Sequence, residues 1–421
     1  MSQLTDHPDG TPRVVVTGMG VVTAAGMSPE TLWDACLQGR SAISDITLFD
    51  VSQYPTHFAG EIKGWDATPW LDVKSARRVD RFIQFAVAAA LEAVKHSGLV
   101  IDDANRERVG VFIGSGIGGL QTIEDQHRIL LERGPGRVSP FLIPGIICDM
   151  GAGLVSIQLG AQGPNSCVTT ACATGTNSLG DAWEIIRRGD ADVMIAGGAE
   201  ACITPLGMAG FCTARTLSTR NDSPQTACRP FDAERDGFVM AEGSGVLVLE
   251  TLQGALARGA TIHGEIVGYG MSGDAYHVTA PAPEGRGAAR AMRAALNSAG
   301  ISPASVDYIN AHGTSTGLND KNETAAIKSV FGDAARRIPV SSTKSITGHL
   351  IGAAGSCEAI LGLMAIRHGV IPPTWNYRTP DPECDLDYVP NEPRTADLDV
   401  VMSNSFGFGG HNASIILKRY R

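Results

Sequence analysis

Short unbroken apolar runs alternate along the chain with longer stretches in which small and apolar residues recur at helical spacing, the pattern of an α/β protein. Residues 13–16 predict an opening strand that runs into a glycine turn at Gly18 and Gly20. Ser28-Pro29-Glu30 predicts the capped start of a helix. Residues 82–97 read as a helix of small residues closed by Gly98, and 109–113 as a strand entering the glycine-rich stretch 114–119. A helix over 173–188, ended by Gly189, precedes a strand over 193–196, and 246–250 adds another. The second part replays this order. Residues 262–268 with Gly270 match the opening strand, and 288–299 before Gly300 match the helix closed by Gly98. Residues 306–310 before His312-Gly313 match the strand before Gly114, and 354–368 before Gly369 match the helix that follows Cys172. These matches predict a duplicated α/β unit, with a first half over 13–255 and a second over 256–421. Residues 1–12 are polar and read as a frayed, disordered tail.

Composition narrows the classes. With 43% hydrophobic and 19% charged residues, the 421-residue chain is globular and long enough for a sizeable core. Its 34 basic and 44 acidic residues give a net charge of −10, which argues against broad nucleic-acid binding and leaves room for a small basic docking patch. Nine cysteines, an odd number with no CxxC pair, predict reduced thiols rather than a disulfide framework or a structural zinc. The polar start lacks the apolar segment of a signal peptide, and no apolar run reaches membrane-spanning length. A cytosolic protein without membrane insertion is expected.

Candidate chemistry concentrates in a few turns. Cys172 lies among small residues in Thr170-Ala-Cys-Ala-Thr174, at a helix entry, where unpaired N–H groups and the positive helix end are expected to lower its pKa and favour a thiolate. A buried packing cysteine is the plainer alternative. His312 follows a strand in Asn310-Ala-His-Gly-Thr314, and His349 ends Ser342-Thr-Lys-Ser-Ile-Thr-Gly-His349; two neutral imidazoles aimed at one oxygen would polarise it strongly. Lys344, close to His349, is placed to tune the local field. Phe406 and Phe408 alternate with glycines in 406–410, a composition suited to a gate or to a tight turn before the last strand. Gly114, Gly116 and Gly119 match a dinucleotide-binding spacing, but the acidic residue ending a second strand is missing, so nucleotide binding is not expected.

Together TACATGT (170–176), NAHGTST (310–316), STKSITGH (342–349) and NSFGFGGHN (404–412) resemble the elongating β-ketoacyl-acyl carrier protein synthases, the KAS I/II group, and within it the bacterial type-II fatty-acid enzymes. The resemblance extends from Arg13 through RPFDAERDGFVMAEGSGVLVLE (229–250) and DAYHVTAP (274–281). It implies a thiolase fold, two duplicated α/β halves in a five-layer αβαβα core, usually as a homodimer. It also implies decarboxylative condensation of acyl-ACP with malonyl-ACP, with no required cofactor. Cys172 would carry the acyl chain, His312 and His349 would act on malonyl-ACP, Lys344 and Glu323 would support them, and the N–H groups of Cys172 and Phe408 would form an oxyanion hole. Thr314 and Thr316 would bind the pantetheine arm, and Ile117, Phe211 and Phe406 would belong to the substrate pocket. Lys74, Arg77, Arg78, Arg133, Arg137 and Arg215 would face the carrier protein. Asn310, Glu358, Ser403 and Asn404 fall where some members hold a monovalent cation. Asp149, Ile351 and His411 depart from common family residues without touching this chemistry. A polyketide-type ketosynthase uses the same three central residues and stays open as an alternative, with a degradative thiolase behind it, since the second catalytic cysteine of that class is absent from 406–412.

Overall fold

The computed structural model describes residues 6, 7 and 10–421. Ten strands form its central sheet: β1 (Val14–Thr23), β2 (Val109–Gly114), β3 (Asn165–Ser166), β4 (Val193–Glu200), β5 (Gly243–Thr251), β6 (Gly264–Gly273), β7 (Tyr308–Asn310), β8 (Val340–Ser341), β9 (Val400–Gly407) and β10 (His411–Lys418). Their spatial order is β8-β7-β9-β10-β6-β1-β5-β4-β2-β3. Counted outward from the join, β1-β5-β4-β2-β3 reappears as β6-β10-β9-β7-β8. Strand directions repeat too, two antiparallel pairings followed by two parallel ones in each half. The ladder is continuous across the join, where β1 runs antiparallel to β6 with Val14 opposite Ile266 and Val16 opposite Gly264.

Five helices packed on the sheet complete the layers: α1 (Arg81–Ser97), α2 (Thr174–Arg187), α3 (Arg286–Ala299), α4 (Gly317–Phe331) and α5 (Ala354–His368). The α1 helix covers β1, β5 and β4 from outside, and α3, with α4 beside it, covers β6 and β10. Between the half-sheets α2 and α5 pack on each other. Every α5 residue from Ala354 to Ile366 is buried, as befits a helix apolar or small at every one of these positions but Glu358. Fully buried side chains such as Phe82, Phe85 and Leu361 each contribute about 1.5–3 kcal/mol through loss of water contact.

Gly18 and Gly20 do not turn the chain. The β1 strand runs through both, and they are glycines because α1 lies directly on the strand: a Cβ at Gly20 would sit 1.9 Å from the Ala89 carbonyl oxygen. The second half repeats the contact, with a Cβ at Gly270 falling 2.3 Å from the Ala291 carbonyl oxygen. The capped helix is found at Pro29–Gln38, with Ser28 and Thr31 exchanging reciprocal hydrogen bonds. Of the expected tail, residues 6, 7 and 10–12 form a turn in which the His7 N–H donates to the Thr11 carbonyl (2.8 Å) and Asp6 bridges to Pro12. The rest of that expectation lies outside the described residues. Among the described residues no helix is long and apolar enough to cross a membrane.

Candidate active site

Each half supplies one loop at a strand end and one tight turn at a helix entry, and these four segments meet at the centre. Cys172 is the middle residue of a 3-10 turn, Ala171–Ala173, that feeds α2. Entering it, Ala171 takes φ 50°, a left-handed value that costs an alanine on the order of 1–3 kcal/mol. The second half repeats the device: the turn Ile351–Ala353 feeds α5, and Ile351 takes φ 48°. The two turns pack against each other. His312 follows β7, as the 114–119 loop follows β2, and His349 lies just before the Ile351 turn.

These residues open onto one cavity of about 560 Å³, lined by Cys172, His312, His349, Ile117, Phe211, Thr314, Thr316, Phe406, Phe408 and Arg215 among others. The two imidazoles meet edge-on, ring centroids 5.3 Å apart at 84°. Phe238 packs edge-on against His349 (5.4 Å) and Phe406 against His312 (5.6 Å). Among the described residues, His312 Nδ1 and both ring nitrogens of His349 are buried without a hydrogen-bond partner, so they are free for a bound molecule. Thr314 and Thr316 pair through their hydroxyls at 3.0 Å, and Thr316 also caps α4 by accepting from the Asn319 N–H. The Phe-Gly segment forms the hairpin turn from β9 to β10, clasped by Asp274 N–H donating to the Gly410 carbonyl (2.9 Å) and Gly409 N–H donating to the Val278 carbonyl (2.8 Å). Gly407 is there by necessity, since a Cβ on it would lie 3.0 Å from the Cys172 nitrogen.

Electrostatics correct the expectation of a low-pKa thiol. Burial pushes Cys172 up to about 12, and the opposing pull of Lys344 and of the N–H groups of Phe408 and Cys172 does not offset it. Burial likewise holds His312 and His349 well below the usual histidine range, helped in both by the Lys344 charge, so both imidazoles are neutral at pH 7. Lys344 is 1% exposed, and its ammonium donates to Glu358 Oε1. Its partner is therefore Glu358 rather than a histidine. Glu323 accepts from the backbone N–H groups of His312 and Gly313, both at 2.8 Å, and so supports the loop rather than the imidazole. Burial raises Glu323 and Glu358 each to about 7.

Other expected residues fall elsewhere. Lys74, Arg77, Arg78, Arg133 and Arg137 are exposed and outside the cavity, whereas Arg215 is exposed at its lining. Arg78 lies over the Phe141 ring at 4.3 Å. All nine cysteines are free.

Residues 11–255 match the family model described as Beta-ketoacyl synthase, N-terminal domain, and 263–378 match Beta-ketoacyl synthase, C-terminal domain. The chain belongs to the β-ketoacyl synthase family. It is 55% identical over 97% of its length to a Synechocystis sp. 3-oxoacyl-[acyl-carrier-protein] synthase 2, covering 98% of that protein. To the enzyme of the same name from Staphylococcus aureus it is 56% identical, again over 97% of this chain and 98% of the relative. A solved β-ketoacyl synthase from Burkholderia phymatum superimposes with TM-score 0.91 at 38% identity, over 97% of this chain and 100% of that one. A type II polyketide ketosynthase solved with its acyl-carrier protein gives 0.90 at 35%, over 98% and 100%.

As a β-ketoacyl synthase of thiolase fold, the chain holds one central residue that reasoning from sequence passed over. Glu200, at the end of β4, is fully buried and accepts N–H groups of Gly116 and Ile117 at 2.9 and 3.3 Å. The glycine loop that imitates a phosphate cradle is thus filled by the protein's own carboxylate. The available signal was an acid closing an apolar strand, in Gly197-Gly-Ala-Glu200.

Proposed function

We propose that this β-ketoacyl synthase condenses acyl-ACP with malonyl-ACP to 3-oxoacyl-ACP, free ACP and CO2, in type II fatty-acid elongation. The convergence of Cys172, His312 and His349 on one apolar-lined cavity carries this reading. Cys172 Sγ attacks the acyl thioester and receives the acyl group, and the thiol proton leaves with the carrier's sulfur. Because the thiol is held neutral, this proton departs during attack, while N–H groups of Cys172 and Phe408 receive the charge developing on oxygen. His312 and His349, neutral and with free ring nitrogens, donate to the malonyl thioester oxygen as CO2 departs; the resulting enolate attacks the acyl carbonyl, the acyl–Sγ bond breaks as 3-oxoacyl-ACP forms, and the released Cys172 sulfur takes up one proton from solvent to become the thiol again. Lys344 adds a positive field, and Glu323 fixes the His312 loop. The polyketide alternative ranks lower: relatives named 3-oxoacyl-[acyl-carrier-protein] synthase 2 are 55–56% identical, against 35% for the structure titled as a type II polyketide ketosynthase.

Further readings belong to the same proposal. The exposed basic residues Lys74, Arg77, Arg78, Arg133, Arg137 and Arg215 suit an acidic carrier protein. Thr314 and Thr316 suit the pantetheine arm, and Ile117, Phe211 and Phe406 the acyl chain. The uncovered edge strand β3, with Ile157 73% exposed nearby in sequence, supports a homodimer. The halves divide near residue 255, and the site of action is the bacterial cytosol. The reaction requires no cofactor. A monovalent cation fits between Asn310, Glu358 Oε2 and Ser403, whose side-chain polar atoms are buried without partners and oxygen-rich. Asn404 would contribute only backbone there, since its side-chain oxygen accepts from Ser414 (2.8 Å).

Mass spectrometry after incubation with acyl-ACP tests the central claim. The acyl group is expected on Cys172 and absent in Cys172→Ala; stable acylation at Cys167 instead would overturn it.

A further inference from the structure

The reaction above leaves Glu200 unused. Its Oε1 accepts from Ser115 Oγ (2.9 Å) and the Ile117 N–H (3.3 Å), and its Oε2 from the N–H groups of Gly116 (2.9 Å) and Gly352 (3.0 Å). Ser115 Oγ itself accepts from the Gly118 N–H (3.0 Å). Gly116 and Ile117 line the cavity from the first half, and Gly352 follows Ile351, which lines it from the second. The two walls meet closely here: a Cβ on Gly116 would lie 2.7 Å from Oε2, and one on Gly352 2.5 Å from the Gly116 nitrogen and 2.8 Å from Oε2. Ile117 and Ile351 share an apolar cluster with Cys172. Across the pseudo-symmetry, Glu323 holds two successive N–H groups of the His312 loop in the same manner.

We propose that Glu200 is a positioning residue for acyl-chain selection, bracketing the Ile117 wall and the Ile351 wall of the cavity at a set separation across the join of the two halves. This rests on the condensing-enzyme reading and deepens it. A buried carboxylate is costly and is kept here by four donors that leave it no free direction. Bonding both walls from behind, it transmits no chemistry to the thioester but decides where the acyl tail meets resistance.

Substitution by glutamine separates this role from bulk. Two backbone N–H groups that can only donate face Oε2, so the amide oxygen must stay on that side. The amide NH2 then faces Ser115 and Ile117. The Ser115 hydroxyl can turn and accept, but the Ile117 N–H cannot. Glu200→Gln therefore removes the hold on Ile117 with no change in volume.

The test uses the full-length enzyme and measures Cys172 acylation by hexanoyl-ACP and palmitoyl-ACP, together with Tm. In Glu200→Gln the long-to-short ratio of kcat is expected to shift by about ten- to a hundredfold, the range of one lost hydrogen bond to a charged group, with KM for the carrier unchanged. An equal change at both lengths, or an unshifted ratio, would overturn the proposal. If the glutamine variant does not fold, Glu200→Asp keeps the charge but, one methylene shorter, cannot reach the Ile117 and Gly352 N–H groups together; a shifted ratio is again expected, and an unaltered ratio counts against the proposal. Wild-type enzyme that takes neither acyl group would instead overturn the condensing reading, and this proposal with it.

Discussion

At Cys172 two opposing effects can be weighed by size. A helix N-terminus supplies about 0.3–1 kcal/mol and up to roughly 2, or about 1.5 pKa units at most, whereas full burial moves a group by up to roughly 3–5 units. Burial wins, and the thiol stands near 12. The same burial is useful at His312 and His349, because it keeps both as neutral donors. Each should matter more for decarboxylation than for loading. His312→Ala and His349→Ala are expected to slow malonyl-ACP decarboxylation by about 100–1,000-fold, the usual loss for one oxyanion donor, while self-acylation of Cys172 falls less. Radiolabelled CO2 release and mass spectrometry of the acyl-enzyme measure the two steps separately. Normal decarboxylation by both variants would remove the histidines from that step.

Among elements, the strand–helix contact of β1 with α1 sets the geometry of the first half. Its closeness depends on Gly18 and Gly20 in the strand and on the alanines that α1 turns toward it. Gly20→Ala is expected to destabilise by about 1–3 kcal/mol, the usual range for overpacking, since its Cβ would meet backbone that cannot yield. Gly270→Ala should do the same in the second half, where the contact repeats. Gly136→Ala is the control: a Cβ there has nothing within 4 Å, so a change within about 0.5 kcal/mol is expected. Denaturant melts of the three variants check this. Equal effects at Gly20 and Gly136 would show that the close approach is not what makes glycine necessary.

For the whole molecule, buried ionisable groups pull the pH dependence of stability in opposite directions. Burial raises Glu323 and Glu358 each to about 7, so between about pH 4.5 and 7 the folded chain holds protons that the unfolded chain has lost, and their contribution falls as pH rises. His263 behaves oppositely. Beside His96 at the join, ring centroids 4.7 Å apart, it is lowered to about 4, chiefly by burial and then by its neighbour. Between about pH 4 and 6.5 the unfolded chain binds a proton there that the folded chain does not, so this contribution is lost on acidification. His263→Gln should therefore gain on wild type by up to about 1.4 kcal/mol for each pH unit below 6.5. Denaturant melts at pH 7 and pH 5 read it, and a wild-type-to-variant difference that stays constant would refute it.

Element type and order were legible in the sequence because hydrophobic periodicity and helix-ending glycines are local properties. The helices before Gly98, Gly300 and Gly369 could be located on that basis, and so could the duplication; Cys172, His312 and His349 stood out by their motifs, and the fold brings them to one cavity. Gly18 and Gly20 misled because a glycine that admits a helix is written with the same letter as one that turns a chain. The thiol's pKa misled because burial is a sum over distant residues, while a helix start is visible within a few. Glu200 stayed hidden for the same reason: its donors, Ser115 to Ile117 and Gly352, are far from it in the chain. The sequence determined which elements form and in what order they repeat. Only the tertiary structure decided their protonation, their partners and the walls around them, because those depend on what the folded halves exclude from water.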